Sequence, residues 1–234
     1  LTSGRDRAAV PLQFRTNPGT TLRRMGLITT EDPATAFLSG QGGSGKSTVI
    51  KAILAFAAAW NVADLVQASA YIGTAAVAIG GVTVIKHTQA KKRFKNFNAQ
   101  VEKQQLHIID EVSLMGQDDL NRIDRSLRTL KKKPHAPFGG ADVLFIGDHS
   151  QLPPVRKCPL WRRPNSGKLR DADQPDSSNH KSESDGYSTW NALTHAFFLT
   201  QNFRAKKDPS YQGFLRRLRA GASNLQTSDY ENLN

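Results

Sequence analysis

Gly40-Gln41-Gly42-Gly43-Ser44-Gly45-Lys46-Ser47 fits the pattern G-x-x-x-x-G-K-[ST] without a gap. The residues before it, Ala36-Phe37-Leu38-Ser39, predict a short strand, and those from Ser47 to Trp60 predict a helix. A strand, a glycine-rich loop and a helix in that order form a cradle for nucleotide phosphates. The glycines let the backbone curl so that successive N–H groups face phosphate oxygens. The helix N-terminus adds partial positive charge at the same place. In this reading Gly40, Gly42, Gly43, Ser44, Gly45, Lys46, Ser47 and Thr48 hold ATP. Lys46 reaches the β- and γ-phosphates, and the Ser47 hydroxyl ligates Mg2+. The competing reading is a glycine-rich turn that binds nothing.

The bulk of the chain narrows the choice. Its 234 residues suffice for one α/β domain with a core, with or without a small appendage. A hydrophobic fraction of 38% and a mean hydropathy of -0.48 predict that some of the chain is loop or disordered. Lys and Arg number 32 against 20 Asp and Glu, so the net charge is +12 and the pI near 10.0. That excess favours a polyanionic partner, nucleic acid first, over a merely soluble basic surface. The single cysteine, Cys158, excludes an internal disulfide and fits a reducing compartment. No apolar run approaches the ~20 residues of a membrane helix. The polar, charged start predicts no signal peptide, and Leu1 predicts a processed chain or a fragment.

Strand and helix patterns alternate along the chain. Strands are predicted at 36–39, 65–70, 106–110, 143–146 and 196–199. Helical patterns fall at 47–60, 73–79, 117–130 and 211–220. Leu120, Ile123, Leu127 and Leu130 share one face of the third helix. The alternation predicts an α/β fold, a parallel sheet with helices on both faces. Residues 1–35 are polar, and only Ala8 to Phe14 looks ordered. Residues 156–188 are rich in Pro, Ser, Asn and Asp and predict a long loop or disordered insertion.

Three further stretches carry chemistry. Asp110-Glu111 ends the apolar strand Leu106–Ile109. There an aspartate can hold Mg2+ and a glutamate can act as general base toward an attacking water. The alternative is an acidic pair serving only solubility. Gly147-Asp148-His149-Ser150-Gln151-Leu152-Pro153-Pro154-Val155 follows the next strand, placing an acid and an amide where they can sense the γ-phosphate. Asn202-Phe203-Arg204 follows the last strand, and Arg204 can stabilise charge on a transferring phosphoryl group.

Taken together, GQGGSGKS, GTAAVAIGG, IIDEVSLM, GDHSQLPPV and LTQNFR resemble motifs I, Ia, II, III and IV of superfamily one DNA helicases. The nearest likeness is to the PIF-type family, which is related to the RecD-type helicases. The stretches 199–221 and 230–234 resemble the helicase part of Helitron transposons. The resemblance implies a RecA-like ATPase core over residues 36–155. It implies phosphate and Mg2+ contacts for Gly45, Lys46 and Ser47, and the Mg2+ and general-base pair for Asp110 and Glu111. Gln151 matches the γ-phosphate sensor, Arg204 the motif IV arginine, and Gly73 to Gly81 a single-stranded DNA contact. The implied activity is ATP-driven 5′–3′ movement on single-stranded DNA, in repair, recombination, telomere maintenance or transposition. A nuclear location is expected, with mitochondria as the alternative.

The chain departs from that family at several positions. Arg5 stands where an adenine-reading glutamine is usual, Ile72 precedes Gly73 in place of Thr, and His87 is displaced in Thr83-Val84-Ile85-Lys86-His87. The segment from His87 to Leu106 is short for the family. Residues 189–234 are expected to close the first motor domain with motif IV. No motif V or VI follows, so a second RecA-like domain is expected to be absent from this chain and needed for unwinding. Such a chain is expected to be monomeric or to need that domain. The alternative is a truncated, catalytically inactive nucleic-acid-binding remnant, and a different phosphate-loop ATPase or kinase ranks third.

On the DNA side, Lys91 to Phe97, Lys131 to Lys133, Arg156 to Arg170 and Arg216, Arg217 and Arg219 are basic clusters. Phe94 and Phe97 are candidate base-stacking residues. The His and Cys spacing matches no zinc site.

Overall fold

The computed structural model describes residues 33–88, 95–164, 177–204, 208–226 and 229. Expectations placed on Arg5, Ala8 to Phe14, Lys91 to Phe94 and Tyr230 to Asn234 lie outside these residues, as does that for the Phe97 side chain.

Six strands form one sheet: β1 (Thr35–Gly40), β2 (Val66–Ala70), β3 (Val82–Thr83), β4 (Leu106–Asp110), β5 (Asp142–Gly147) and β6 (His195–Leu199). Their order is β3-β2-β4-β5-β1-β6, and every pairing is parallel. The predicted α/β class is therefore the observed one. β1, β4 and β5 read as largely apolar runs because both faces are covered, as parallel sheets require. In register, Phe37 stands beside Phe145 on β5 and Phe145 beside Ile109 on β4.

The helices are α1 (Lys46–Ala59), α2 (Gly73–Ala78), α3 (Val84–Thr88), α4 (Lys95–Lys103), α5 (Gln117–Leu130), α6 (Ser177–Asn191) and α7 (Pro209–Ala220). One face of the sheet takes α1 and α2, with Ile50, Ala76 and Ile79 against Leu38, Ile108 and Ile146. The other takes α5 and α6, with Leu120, Ile123, Leu127 and Trp190 against Phe37, Ile109 and Phe145. Among the described residues no helix is long and apolar enough to cross a membrane.

The expectation of a loop or disordered insertion over 156–188 needs correction from residue 177 onward, and its stretch 165–176 lies outside the described residues. Residues 177–191 form α6, which packs along α5, and residues 156–164 run through turns that bury Leu160. A Cβ on Gly186 would run into the backbone carbonyl of Gln117, so glycine is what lets α6 approach the start of α5. Gln117 also holds the preceding turns, donating from its amide to the carbonyl of Pro159 at 2.8 Å. β3, α3 and α4 were not anticipated.

Candidate active site

Every stretch singled out for chemistry leaves the sheet at the same edge. The phosphate loop follows β1, Asp110-Glu111 closes β4, Asp148 to Gln151 follow β5, and Asn202 to Arg204 follow β6. The chain leaves β1 toward β2 on one side and returns past it to β6 on the other. Open α/β sheets bind ligands at the carboxyl ends of their strands beside such a reversal.

The phosphate loop needs its glycines. Gly43 and Gly45 have φ values of 83° and 99°, which side chains rarely tolerate. A Cβ on Gly43 would also lie 2.9 Å from Asn202 Oδ1 and 2.5 Å from Arg204 Cβ. The loop after β6 therefore sits directly on the phosphate loop, and the Phe203 N–H donates to the Gly43 carbonyl at 2.9 Å. Arg204 is exposed, its N–H held by Asn202 Oδ1 at 3.0 Å. Lys46 lies across the loop, donating from Nζ to the Gly40 carbonyl at 2.6 Å and to that of Gln41 at 3.3 Å. Gly42, Ser47 and Thr48 are exposed, while Ser44 is buried with no hydrogen-bond partner for its hydroxyl.

Three carboxylates surround Lys46. Asp110 is buried, which raises its proton affinity, against the pull of the Glu111 N–H at 2.9 Å and of Lys46. Glu111 is half-buried and also raised, by burial, Asp110 and Asp148 in that order. Its backbone is left-handed, at φ 59° and ψ 42°. A non-glycine residue held there carries strain of the kind that clusters at functional sites. Asp148 behaves oppositely. Burial alone would raise it, but the Arg219 guanidinium binds both its oxygens at 2.8 Å and holds the carboxyl below its usual range. Gln151 is tied to this acid, its backbone N–H donating to the Asp148 carbonyl at 2.9 Å. Its Nε2 would stand 3.9 Å from a Cβ on Gly42. Lys46, Glu111, Gln151 and Arg204 thus border one loop, as do the two candidate Mg2+ ligands Ser47 and Asp110.

The donor set suits Mg2+-nucleotide. Among the described residues no cluster of three His, Cys, Asp or Glu side chains could cage a metal. One carboxylate and one hydroxyl are what Mg2+ uses when phosphates and waters complete its shell. The orphaned Ser44 hydroxyl beneath the loop is a polar group consistent with a ligand there.

Two features were missed in the sequence. An open cleft of about 630 Å3 adjoins Gly40 and Gln41, lined by Phe198, Leu199, Phe203 and Arg216 among others. Arg219 reaches Asp148 from 71 positions away, a contact with no local signal. His149, beside Asp148, stacks on Phe37 at 4.7 Å, with Trp161 tilted against it at 4.3 Å and Trp190 edge-on at 5.4 Å. Neither of its ring nitrogens has a hydrogen-bond partner, and burial lowers its pKa to about 4.

The basic clusters divide. Lys131 is buried at the opposite end of the sheet from the phosphate loop, where Nζ binds the carbonyls of Glu102 and Gln104. Burial lowers its pKa to about 8, and Lys132 pairs with Glu102. The first two lysines of that cluster therefore hold α4 to α5. Arg217 is likewise committed to Asp229 and Arg219 to Asp148, whereas Arg156, Arg162 and Arg163 are exposed.

Comparison with known proteins agrees with this arrangement. The family described as PIF1-like helicase matches residues 22–215. The ATP-dependent DNA helicase PIF5 of Trypanosoma brucei brucei is 29% identical over 83% of this chain and 23% of its own length. The ATP-dependent DNA helicase PIF1 of Saccharomyces cerevisiae is 30% identical over 53% of the chain and 16% of its own. The crystal structure of Candida albicans Pif1 superposes with a TM-score of 0.66 at 21% identity, over 99% of this chain and 47% of that one. Bacteroides Pif1 in complex with ADP-AlF3 and ssDNA gives 0.63 at 25%, over 90% and 48%. This chain thus spans a quarter or less of these curated relatives and under half of the solved chains. It belongs to the PIF1-like helicase family.

Proposed function

We propose that this chain is the first motor domain of an ATP-dependent DNA helicase, binding and hydrolysing Mg-ATP and contacting single-stranded DNA. The observation that carries the proposal is the convergence of Lys46, Asp110, Glu111, Gln151 and Arg204 from four strand ends onto one phosphate loop. The loop's N–H groups and the α1 N-terminus bind the phosphates, and Lys46 swings from the Gly40 carbonyl to the β- and γ-oxygens. Ser47 and Asp110 would hold Mg2+, which would supply charge neutralisation at the phosphates. Glu111 takes a proton from the attacking water as general base. Gln151 and Arg204 bind the γ-phosphate. The base and sugar lie in the cleft beside Gly40, where Phe203 is exposed.

Single-stranded DNA as partner is supported by the DNA-bound Bacteroides Pif1 and by the +12 charge. Movement in the 5′–3′ sense, placement in superfamily one and kinship to the Helitron helicase rest on the motif strings quoted above. The same resemblance supports a second RecA-like domain as the unit's other half, roles in repair, recombination, telomere maintenance or transposition, and nuclear residence.

Binding of N-methylanthraniloyl-ADP with Mg2+ is the first test. Wild type should bind, and Lys46→Ala should weaken binding roughly tenfold or more. Glu111→Gln should retain binding yet lower turnover by about 100-fold or more. A wild-type protein that binds no nucleotide ends the proposal. Salt-sensitive DNA binding indifferent to nucleotide would then favour the inactive nucleic-acid-binding remnant, a reading motivated by exposed Arg156, Arg162 and Arg163 around exposed Trp161.

A further inference from the structure

Arg219 on α7 closes a circuit of contacts around the phosphate loop. Its guanidinium binds Oδ1 and Oδ2 of Asp148, each at 2.8 Å. Asp148 is 3% exposed, and its Oδ1 also accepts the Ser150 N–H at 3.1 Å. Its Oδ2 lies 3.4 Å from Gln151 Nε2, and its carbonyl accepts the Gln151 N–H. At the other end of α7, Gln212 Nε2 donates to the Asn202 carbonyl at 3.1 Å, and the Asn202 loop is bonded to Gly43. One helix thus holds the phosphate loop through its first turn and the Gln151 loop through its last. Gly221, at φ 108°, ends the helix two residues beyond Arg219.

We propose that Arg219 is a positioning residue. By clamping Asp148 it fixes the Gln151 side chain toward the phosphate loop, so that the site distinguishes nucleoside triphosphate from diphosphate. The inference rests on the nucleotide-binding reading above and adds to it a residue outside the motifs. Without the arginine, the buried carboxylate must draw harder on the donor beside it, the Gln151 amide at 3.4 Å. That turns a phosphate-facing group away. The diphosphate, which does not reach Gln151, is largely insulated.

The experiment compares Mg2+-dependent binding of N-methylanthraniloyl-ADP with that of its β,γ-imido triphosphate counterpart. Arg219→Ala should weaken the triphosphate analogue roughly fivefold or more and the diphosphate by less than about twofold. Arg219→Lys, which keeps the charge but loses the fork, should recover part of the difference. Arg217→Ala, on the same helix but paired with Asp229, should leave the ratio unchanged. Equal losses for both nucleotides, or a matching change in Arg217→Ala, would mean that the arginine only stabilises α7 and would overturn the inference. So would an unchanged ratio in Arg219→Ala. Wild-type protein that binds neither nucleotide is a different outcome, which removes the nucleotide-binding reading and this inference with it.

Discussion

Helices α1 and α5 are both 14 residues long and lie on opposite faces of one sheet, yet they are held by different means. On α1 only Ile50 and Ala57 are buried, Ile50 against Leu38, Ile108 and Ile146 and Ala57 against Val62 and Leu65, with Val49, Ile53 and Leu54 partly buried beside them. On α5 eight residues are buried, four apolar and four polar. The polar ones are hydrogen-bonded, although Gln117 Oε1 is buried without a partner. Asp119 accepts from the Gly116 N–H, the Tyr71 hydroxyl and Lys157, and Asp124 from the Phe138 N–H and Arg128. Asn121 donates to Ser182 on α6 and Gln117 to the turn below it. The difference separates scaffold from machinery. The helix under the phosphate loop is held by one thin stripe, so a ligand's phosphates can contribute substantially to its order. The helix opposite needs no ligand, because side-chain bonds fix both its ends. Segments that bind ligands are commonly drawn from the less stable parts of a fold.

Truncation on the two helices gives the largest expected contrast. Leu127→Ala, at a fully buried position on α5, should cost about 3–5 kcal/mol, whereas Ile53→Ala, partly buried on α1, should cost about 1–2. Urea unfolding of both variants measures the gap. Equal losses would mean that α1 is as firmly seated as α5. Nucleotide should then shift the balance selectively. Mg-ADP at 100 times its dissociation constant should stabilise the protein by about 2.7 kcal/mol. In hydrogen exchange the slowing should fall on the phosphate loop and α1 more than on α5. Uniform protection across both helices would break the distinction.

Acid should strike the α5 face, because His149 lies there. Unfolded, this histidine takes a proton near pH 6.5, but among Phe37, Trp161 and Trp190 it resists protonation until about pH 4. Between those values the unfolded chain binds the extra proton, so stability climbs with pH through this window and is complete above it. The loss from pH 7 to pH 4 should be on the order of 2 kcal/mol. His149→Phe should remove that part of the acid sensitivity and leave two unpaired nitrogens fewer in the core. Thermal melts at pH 4.5 and pH 7 measure both. A variant as acid-sensitive as wild type would place the weakness elsewhere.

The same contrast explains what could be read from the chain. β1, β4 and β5 were legible because strands buried on both faces are continuous apolar runs, and α5 because its leucines recur at helical spacing. The site followed from strand-end motifs, since a parallel sheet brings all carboxyl ends to one edge. α6 was not legible. Its residues are mostly Ser, Asn, Glu and Asp with a glycine at 186, and of the described ones only Gly186 and Trp190 are buried. The reason for that glycine, the backbone of Gln117 nearly 70 residues earlier, cannot be seen locally. Lys131 misled for a related reason. A lysine run looks like a phosphate-binding surface until the fold buries its first member against two carbonyls. Long-range pairing, not composition, decided each of these.

The outer face of α1 supplies the smallest and most searching prediction. Phe56 is 54% exposed, and its ring meets that of Trp60, one turn on, at 5.3 Å. If this face meets only solvent, Phe56→Ser removes little beyond that ring pair and should cost about 0.5 kcal/mol or less. A cost well above 1 kcal/mol would mean that a further segment covers α1. The helix would then have a second seat, its apparent dependence on one buried stripe would disappear, and nucleotide would no longer be the main influence on its order. Repeating the measurement with saturating Mg-ADP separates the two cases. On a helix steadied from the ligand side, the Phe56→Ser cost should be the same with and without nucleotide.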